Sequence, residues 1–457
     1  MIPLSELQWD FLGILYLVII FIVGFAITYL ILPFIIKAMK KKKFVGYDIH
    51  KNSRPEVAES GGLSFVIGFS ISSIFTMLFF PIILNETIIF LLTVLLTAAI
   101  GFIDDRIKLK SRYKILLSIL SGTAIYLAVV FEFITISSPT IPIIDQTRLT
   151  IIYPLMIPIL VAIFANTVNM LEGYNGEGSG TSLIAVISLF ICGIIWDSAE
   201  GVIFSIPVIA VLIPFFLKNK FPAKVFPGDI GTLSMGAMIA CIMIFGSLEV
   251  AAFCALLIHI FNSFYILYSV KGFLESDKIR EGKDDIVLLE DDRIKASDQK
   301  GAALTLPRLL LVKGPLKESE LVKNFFIISI ICGIFAVFSV LFTQLTSGIL
   351  DLSIFIIMFV ILLIPIGYFL KKFSRTRGVV VLMIILLIAA IVFFVLVEFV
   401  VFPLQLPEIR LGIIRIPVDL ITILIIGIIG LLGWYYITIK YFWKQINKMK
   451  KEENKEA

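Results

Sequence analysis

Long apolar runs alternate with short polar ones along almost the whole chain. Thirteen of them come near the length an α-helix needs to cross a bilayer, at about 12–36, 61–84, 87–104, 113–131, 150–171, 180–196, 201–217, 230–246, 249–270, 323–345, 352–370, 378–401 and 417–439. The pattern predicts an all-α fold, a polytopic bundle of membrane helices. Most connections are short enough for helical hairpins. Pro81 near Asn85-Glu86, and Trp196-Asp197-Ser198, mark tight turns. Two connections are longer. Segment 132–149 carries Ile134-Thr135-Ile136-Ser137 and Ile141-Pro142-Ile143-Ile144, which suits a short hairpin lying on the membrane. Segment 271–322 is polar and mixed in charge, with an acidic run from Asp284-Asp285 to Glu290-Asp291-Asp292. It is long enough to fold over a site, but most of it reads as a solvated connector.

Composition agrees with the pattern. The 457 residues are 59% hydrophobic and 16% charged, which no soluble domain of this size needs. Met1–Asp10 has no basic residue and no small-residue cleavage site follows it, so no cleavable signal is expected. The four cysteines (Cys192, Cys241, Cys254, Cys332) lie inside apolar runs without metal spacing and read as small buried hydrophobes. With only His50 and His259 in the chain, a histidine-based metal site is nearly excluded. His259 reads as a packing residue.

Charge gives direction. With the N-terminus outside and the spans alternating, 36 of the 39 Lys and Arg fall in inside segments. Only Arg148, Arg410 and Arg415 fall outside. A miscounted span would have mixed the two sets. The expected arrangement is an integral cell-membrane protein with its C-terminus in the cytoplasm.

The unusual polar residues gather at the inside ends of spans. Asp104-Asp105 closes the third run, and five basic residues follow by Lys114. Acids at a membrane boundary are costly unless paired, hydrated or bound to a cation. A solvated, topogenic loop explains this stretch alone equally well. Three further clusters share its face. Gly46 to Gly62 contains Asp48, His50, Lys51, Glu59 and a glycine pair that lets backbone approach a helix or ligand. Asn166 and Asn169 share one face of a helix end, and a glycine-rich loop follows from Glu172 to Gly180. Lys224 to Gly231 puts Asp229 at the start of another run. Singly, the amides could be interhelical glue and Asp229 a helix cap. Together, acids and amides flanked by basic residues suit a hard cation and a polyphosphate, and oxygen-only ligands point to magnesium.

Four motifs in order carry a resemblance: Gly46-x-Asp48-x-x-Lys51…Glu59-Ser60-x-Gly62, Phe102-x-Asp104-Asp105…Arg112-x-Lys114, Asn166-x-x-Asn169…Gly173-x-Asn175-Gly176 and Val225-Phe226-x-Gly228-Asp229. Over roughly residues 10–345 the chain resembles the polyprenyl-phosphate N-acetylhexosamine-phosphate transferases, most closely the branch making dolichyl-diphosphate N-acetylglucosamine. The resemblance implies a ten-span transferase core over 1–345, including cytoplasmic loop 271–322, with about three additional spans and a tail over 346–457. It implies transfer of N-acetylglucosamine-phosphate from UDP-N-acetylglucosamine to a polyprenyl phosphate at the cytoplasmic face, with UMP released. The implied cofactor is Mg2+, with Mn2+ as a substitute. The implied partners are a UDP-sugar, a polyprenyl phosphate and the membrane; a homodimer is allowed and no nucleic acid is expected.

By position, Asn169 and Asp229 resemble the metal ligands, and Asp104, Asp105 and Lys114 the catalytic group. Phe226 and Asn175 match positions that stack on and hydrogen-bond uracil, while Glu59 and Lys51 match the cytoplasmic mouth. Asn166, Glu172, Gly173 and Arg308 complete the expected substrate contacts, Arg308 in the Pro-Arg remnant of a basic loop element. Where relatives read Leu-Glu-Ala-Gly after Asn-Gly, this chain reads Glu177-Gly178-Ser179-Gly180, so the acid has moved by one place. The histidine-rich loop of the muramoyl-pentapeptide branch is absent. The abundance of Ile and Lys leans towards archaeal N-glycosylation. Two other readings stay open: the same reaction with another UDP-sugar or an undecaprenyl carrier, and a cation-coupled transporter. The one-sided acids and lack of an internal repeat weigh against transport.

Overall fold

Inside a bilayer each backbone amide must find its partner within the chain, so apolar runs of this length become helices. The computed structural model describes residues 2–4, 11–146, 152–270, 284–299, 301–401, 403, 408–411 and 414–456. Among the described residues twelve helices are long and apolar enough to cross a membrane, and this is an integral membrane protein. The first eight are α1 (Phe11–Lys41), α2 (Gly62–Phe79), α3 (Leu84–Ile107), α4 (Ser111–Val130), α5 (Ile152–Leu171), α6 (Glu177–Ile195), α7 (Ala199–Asn219) and α8 (Gly228–Gly246). The expected ninth span is broken: α9 (Glu249–Ala255) and α10 (Leu257–Val270) meet at 67° around Leu256. Neither proline nor glycine stands at that break.

The described residues divide into two compact units, 1–139 with 148–340, and 140–147 with 341–457. In the second, the helix Leu352–Lys372 has Ile366 as its one buried residue, as befits a helix with lipid on most sides. The expected surface hairpin is present but shorter and displaced: Thr140–Ile141 pair with Asp145–Gln146, and Ile134 to Ser137 form no strand.

In the first unit α8 is the axis. Every residue from Ile230 to Gly246 is buried. Helices α2, α3, α5, α6 and α7 all pack on it. They approach closely because glycines stand at the crossings. A Cβ on Gly236 would lie 2.3 Å from the Phe164 carbonyl oxygen, one on Gly101 2.4 Å from the Asp229 carbonyl oxygen, and one on Gly62 2.3 Å from the Gly231 Cα. The Gly61-Gly62 pair thus admits another helix.

Loop 271–322 is more than a connector. Its described part forms an antiparallel sheet of Ile286–Leu288, Arg293–Ala296 and Leu316–Lys317, followed in sequence within it by a short helix, Leu306–Leu311. Asn52, after the first strand of the α1–α2 connection, grips this sheet's hairpin. Its backbone N–H donates to Asp292 Oδ1 at 2.8 Å, and its side-chain amide to the Leu289 carbonyl at 2.9 Å.

Gly101→Ala should force α3 away from α8, because the new methyl meets backbone and no flexible side chain can yield. The expected cost is about 1–3 kcal/mol, read as a lower thermal unfolding midpoint in detergent. Gly367→Ala is the control: nothing lies within 4 Å of its Cβ position, and the midpoint should not fall.

Candidate active site

Four connections meet at one end of the first unit: α1–α2, α3–α4, α5–α6 and α7–α8. Between them lies a cavity of about 360 Å3. It brings together Glu59, Asp105, Lys114, Asn169, Glu172, Gly173, Asn175, Phe226 and Asp229 from the expected set.

The acidic group is built on the N-terminus of α8, where unpaired backbone N–H groups need acceptors. Asp105 supplies them from α3. Its Oδ1 accepts from the Asp229 N–H at 2.6 Å, and its Oδ2 from Ser60 Oγ at 2.7 Å. Gly228 makes room in a left-handed conformation (φ +67°), where a Cβ would strike Asp105 Oδ2 at 2.6 Å. The Asp229 side chain then points to two donors, Asn169 Nδ2 on Oδ1 and Lys114 Nζ on Oδ2 at 2.9 Å. Asn169 Nδ2 also reaches Thr232 Oγ1 at 2.7 Å.

Asp104 differs from its neighbour. Its Oδ1 accepts from the Leu109 N–H at 2.6 Å, closing its own helix end, and its Oδ2 pairs with Lys114. One ammonium therefore serves two carboxylates. Asp104 itself does not line the cavity. Glu59, on the α1–α2 connection, is raised above the usual carboxylate range by burial and by the Asp229 charge.

The wall also carries aromatic rings. A parallel bridge from Ala58 to Val225, continued by Phe226 N–H to the Ala58 carbonyl at 2.8 Å, seats Phe226 in the wall. Opposite it in chain order, His50 stacks on Tyr174 with centroids 4.3 Å apart. The loop carrying Tyr174 is held by crossed carboxylates. Glu172 Oε2 accepts from the Gly178 N–H at 2.7 Å, and Glu177 Oε2 from the Gly173 and Tyr174 N–H groups at 3.1 and 3.2 Å. The displaced acid Glu177 is thus a loop brace, fully buried.

Four expected contacts are not in the cavity wall. Arg308 is buried, with all five guanidinium N–H directions spent on carbonyls of Ser297, Gln299, Ala302 and Ala303. It organises its own loop, and burial lowers its pKa. Asn166 donates to the Ala162 carbonyl one turn back in α5 at 2.8 Å and does not line the cavity. Lys51 pairs with Asp48 and lies 4.5 Å over the Phe221 ring. Asp104 stands behind Lys114, as above.

The cavity also holds residues to which the sequence pattern gave no role in the site: Tyr47, Asp48, His50, Tyr174 and Thr232. Asp48 lay inside a quoted motif, and Thr232 follows Asp229 at helical spacing. Burial would raise the Asp48 carboxyl, but Lys51 and Asn175 hold it below the ordinary range. Behind it Glu318, across the long loop, had no sequence signal. Asp48, His50 and Glu318 bring ligand atoms within 4.8 Å of one another. In the structure their carboxylates accept from Lys51 and Asn175.

The model of glycosyl transferase family 4 matches residues 87–247. The chain is 30% identical over 313 residues, 68% of its length, to a protein of Methanocaldococcus jannaschii provisionally named a glycosyltransferase, covering 93% of that protein. It is 31% identical over 343 residues, 73% of its length and 98% of the relative's, to a Sulfolobus acidocaldarius protein. That relative is provisionally named UDP-N-acetylglucosamine–dolichyl-phosphate N-acetylglucosaminephosphotransferase. A phospho-N-acetylmuramoyl-pentapeptide-transferase of Latilactobacillus sakei is 28% identical over 55% of this chain and 82% of its own.

Desolvation pushes the Glu172 carboxyl up to about 8, against the hydrogen bond from Gly178. The folded protein therefore binds a proton here that the unfolded chain has lost. This contribution is full below the ordinary glutamate range and disappears as pH rises through 8. Glu172→Gln keeps an acceptor for Gly178 and removes the titration. Its unfolding midpoint should fall less between pH 5 and 8 than the wild type's, in buffered detergent scans.

Proposed function

We propose that this chain, which belongs to glycosyl transferase family 4, transfers N-acetylglucosamine 1-phosphate from UDP-N-acetylglucosamine to a dolichyl-type polyprenyl phosphate. The observation that carries this reading is the make-up of the cavity wall. It combines a hydrogen-bonded charged group, Asp229, Asn169, Asp105 and Lys114, with the rings of Phe226 and Tyr174 and the amide of Asn175. A nucleoside diphosphate-sugar has the matching chemistry, with a charged diphosphate and a stackable ring.

In the proposed reaction a lipid phosphate oxygen attacks the sugar-linked phosphorus. The new P–O bond forms as the bond to the UMP phosphate breaks, and UMP leaves with that electron pair. Such a transfer rests on positioning and charge neutralisation. Lys114 is the cation at hand. Asp104 and Asp229 hold its ammonium at the cavity, ready to meet incoming phosphate oxygens. A phosphate monoester is already anionic and needs no strong base. Asp105 has both oxygens engaged, and we assign it and Asp104 the positioning of α8 and of Lys114. Phe226 would stack on the uracil, and Asn175 would hydrogen-bond its edge.

The donor set fits magnesium: Asp229 and Asn169 offer hard oxygen ligands, with Thr232 beside them. Two carboxylates sharing one ammonium leave negative charge for a cation to take up. When bound, the ion supplies charge neutralisation at the diphosphate and its leaving group. The one-sided basic residues support a cytoplasmic site, an outside N-terminus and an inside C-terminus.

The test incubates purified protein with magnesium, polyprenyl phosphate and radiolabelled UDP-N-acetylglucosamine, then resolves labelled lipid from UMP. Labelled lipid is expected. Its absence with every UDP-sugar of a panel would sink the reading. Asp229→Ala and Asn169→Ala should each lower turnover by about 100-fold or more while the unfolding midpoint stays measurable.

A further inference from the structure

Asn175 is held in one rotation by two carboxylates from distant parts of the chain. Glu318 Oε1 accepts its backbone N–H at 2.7 Å, and Glu318 Oε2 accepts its side-chain Nδ2 at 3.3 Å. Asp48 Oδ2 accepts the same Nδ2 at 2.9 Å. All three residues are buried, Asp48 and Glu318 to within 3% of full exclusion from solvent. An ionised carboxylate accepts hydrogen bonds and does not donate them, and Lys51 beside Asp48 helps keep that carboxyl below the ordinary range. The NH2 end of the amide is therefore fixed on the acidic side. Its carbonyl oxygen, Oδ1, is left for the cavity that Asn175 lines, and among the described residues no donor meets it.

An amide that can rotate offers either a donor or an acceptor. This one is locked as an acceptor. The pairing edge of uracil carries one donor, N3–H, between two acceptors, O2 and O4. In cytosine N3 is an acceptor, so a fixed carbonyl facing it meets a lone pair. We propose that Asp48 and Glu318 are specificity-determining positioning residues: by locking the Asn175 amide they make the site read uracil N3–H and reject cytosine. This rests on the reading of Phe226 and Asn175 as the nucleobase subsite. Neither carboxylate touches the base in the proposal. They act through Asn175, and a site built to pair a polar group discriminates strongly against an analogue that leaves it unpaired.

The experiment measures binding of tritiated UMP to the full-length protein in detergent with magnesium, and its displacement by UMP, CMP and 3-methyl-UMP. In the wild type, CMP and 3-methyl-UMP should each compete at least about tenfold less well than UMP. Equal competition by 3-methyl-UMP, which has no N3–H, would overturn the proposal without any mutant. Asp48→Asn combined with Glu318→Gln turns both fixed acceptors into amides that can donate as well as accept, so Asn175 can rotate. The UMP-to-CMP preference should then narrow by about tenfold through a gain in CMP binding, which loss of structure would not produce. Undiminished preference in the folded double variant would assign the two carboxylates a structural role only and reject the proposal. A wild type that binds neither UMP nor CMP would remove the underlying functional reading, an outcome distinct from binding without discrimination.

Discussion

The contact on which the rest depends is the pair of hydrogen bonds from the start of α8 to Asp105. A helix that begins inside a protein presents several N–H groups with no partner, and a concentration of positive potential. Here a carboxylate from another helix answers both needs. Ser60 completes it from a third direction. That convergence explains why Gly62, Gly101 and Gly228 have no side chain: each would thrust a methyl into the junction. Asp229 can face the cavity because its backbone is already held.

Charge is handled in two ways around the cavity. Among the acids, one lysine is shared by Asp104 and Asp229, so the group that neutralises the carboxylates is also the cation presented to the cavity. Around Tyr174 and Asn175, acids are consumed in fixing neutral groups. Glu172 and Glu177 hold backbone N–H groups of the α5–α6 loop, and Glu318 and Asp48 hold Asn175. Burying a carboxylate is expensive unless donors meet it, and each of these has a donor on at least one oxygen, although Glu177 Oε1 is left without one. What the arrangement gains is a rigid loop around Tyr174 and Asn175.

Much of this could be seen in the residues alone. Span length sufficed for the helices apart from the break in the ninth span, because the bilayer permits few alternatives. The cluster of Asp105, Lys114, Asn169 and Asp229 was legible because acids and amides at the ends of apolar runs are conspicuous. Spacing failed where a choice depended on tertiary direction. Asp104 and Asp105 are adjacent and chemically identical, yet one turns to its own helix end and the other to α8. Asn166 resembles Asn169 in everything but the direction of its face. Arg308 looked like a phosphate ligand because arginine often is one, but carbonyls of its own loop claim every donor. Glu318 was invisible, since only the folding of the long loop returns the chain to Asn175.

The cap on α8 also carries a consequence for how the protein is made. Its donor and acceptor lie 124 positions apart in the chain. While the ribosome works through α4 to α7, Asp105 has been delivered to the membrane boundary without the N–H groups it will hold. It must wait in water or against nearby basic side chains. The contact between the Asp229 N–H and Asp105 therefore cannot form before the eighth helix has been made. A lesion that delays that helix would damage biogenesis while leaving every residue of the finished cavity intact.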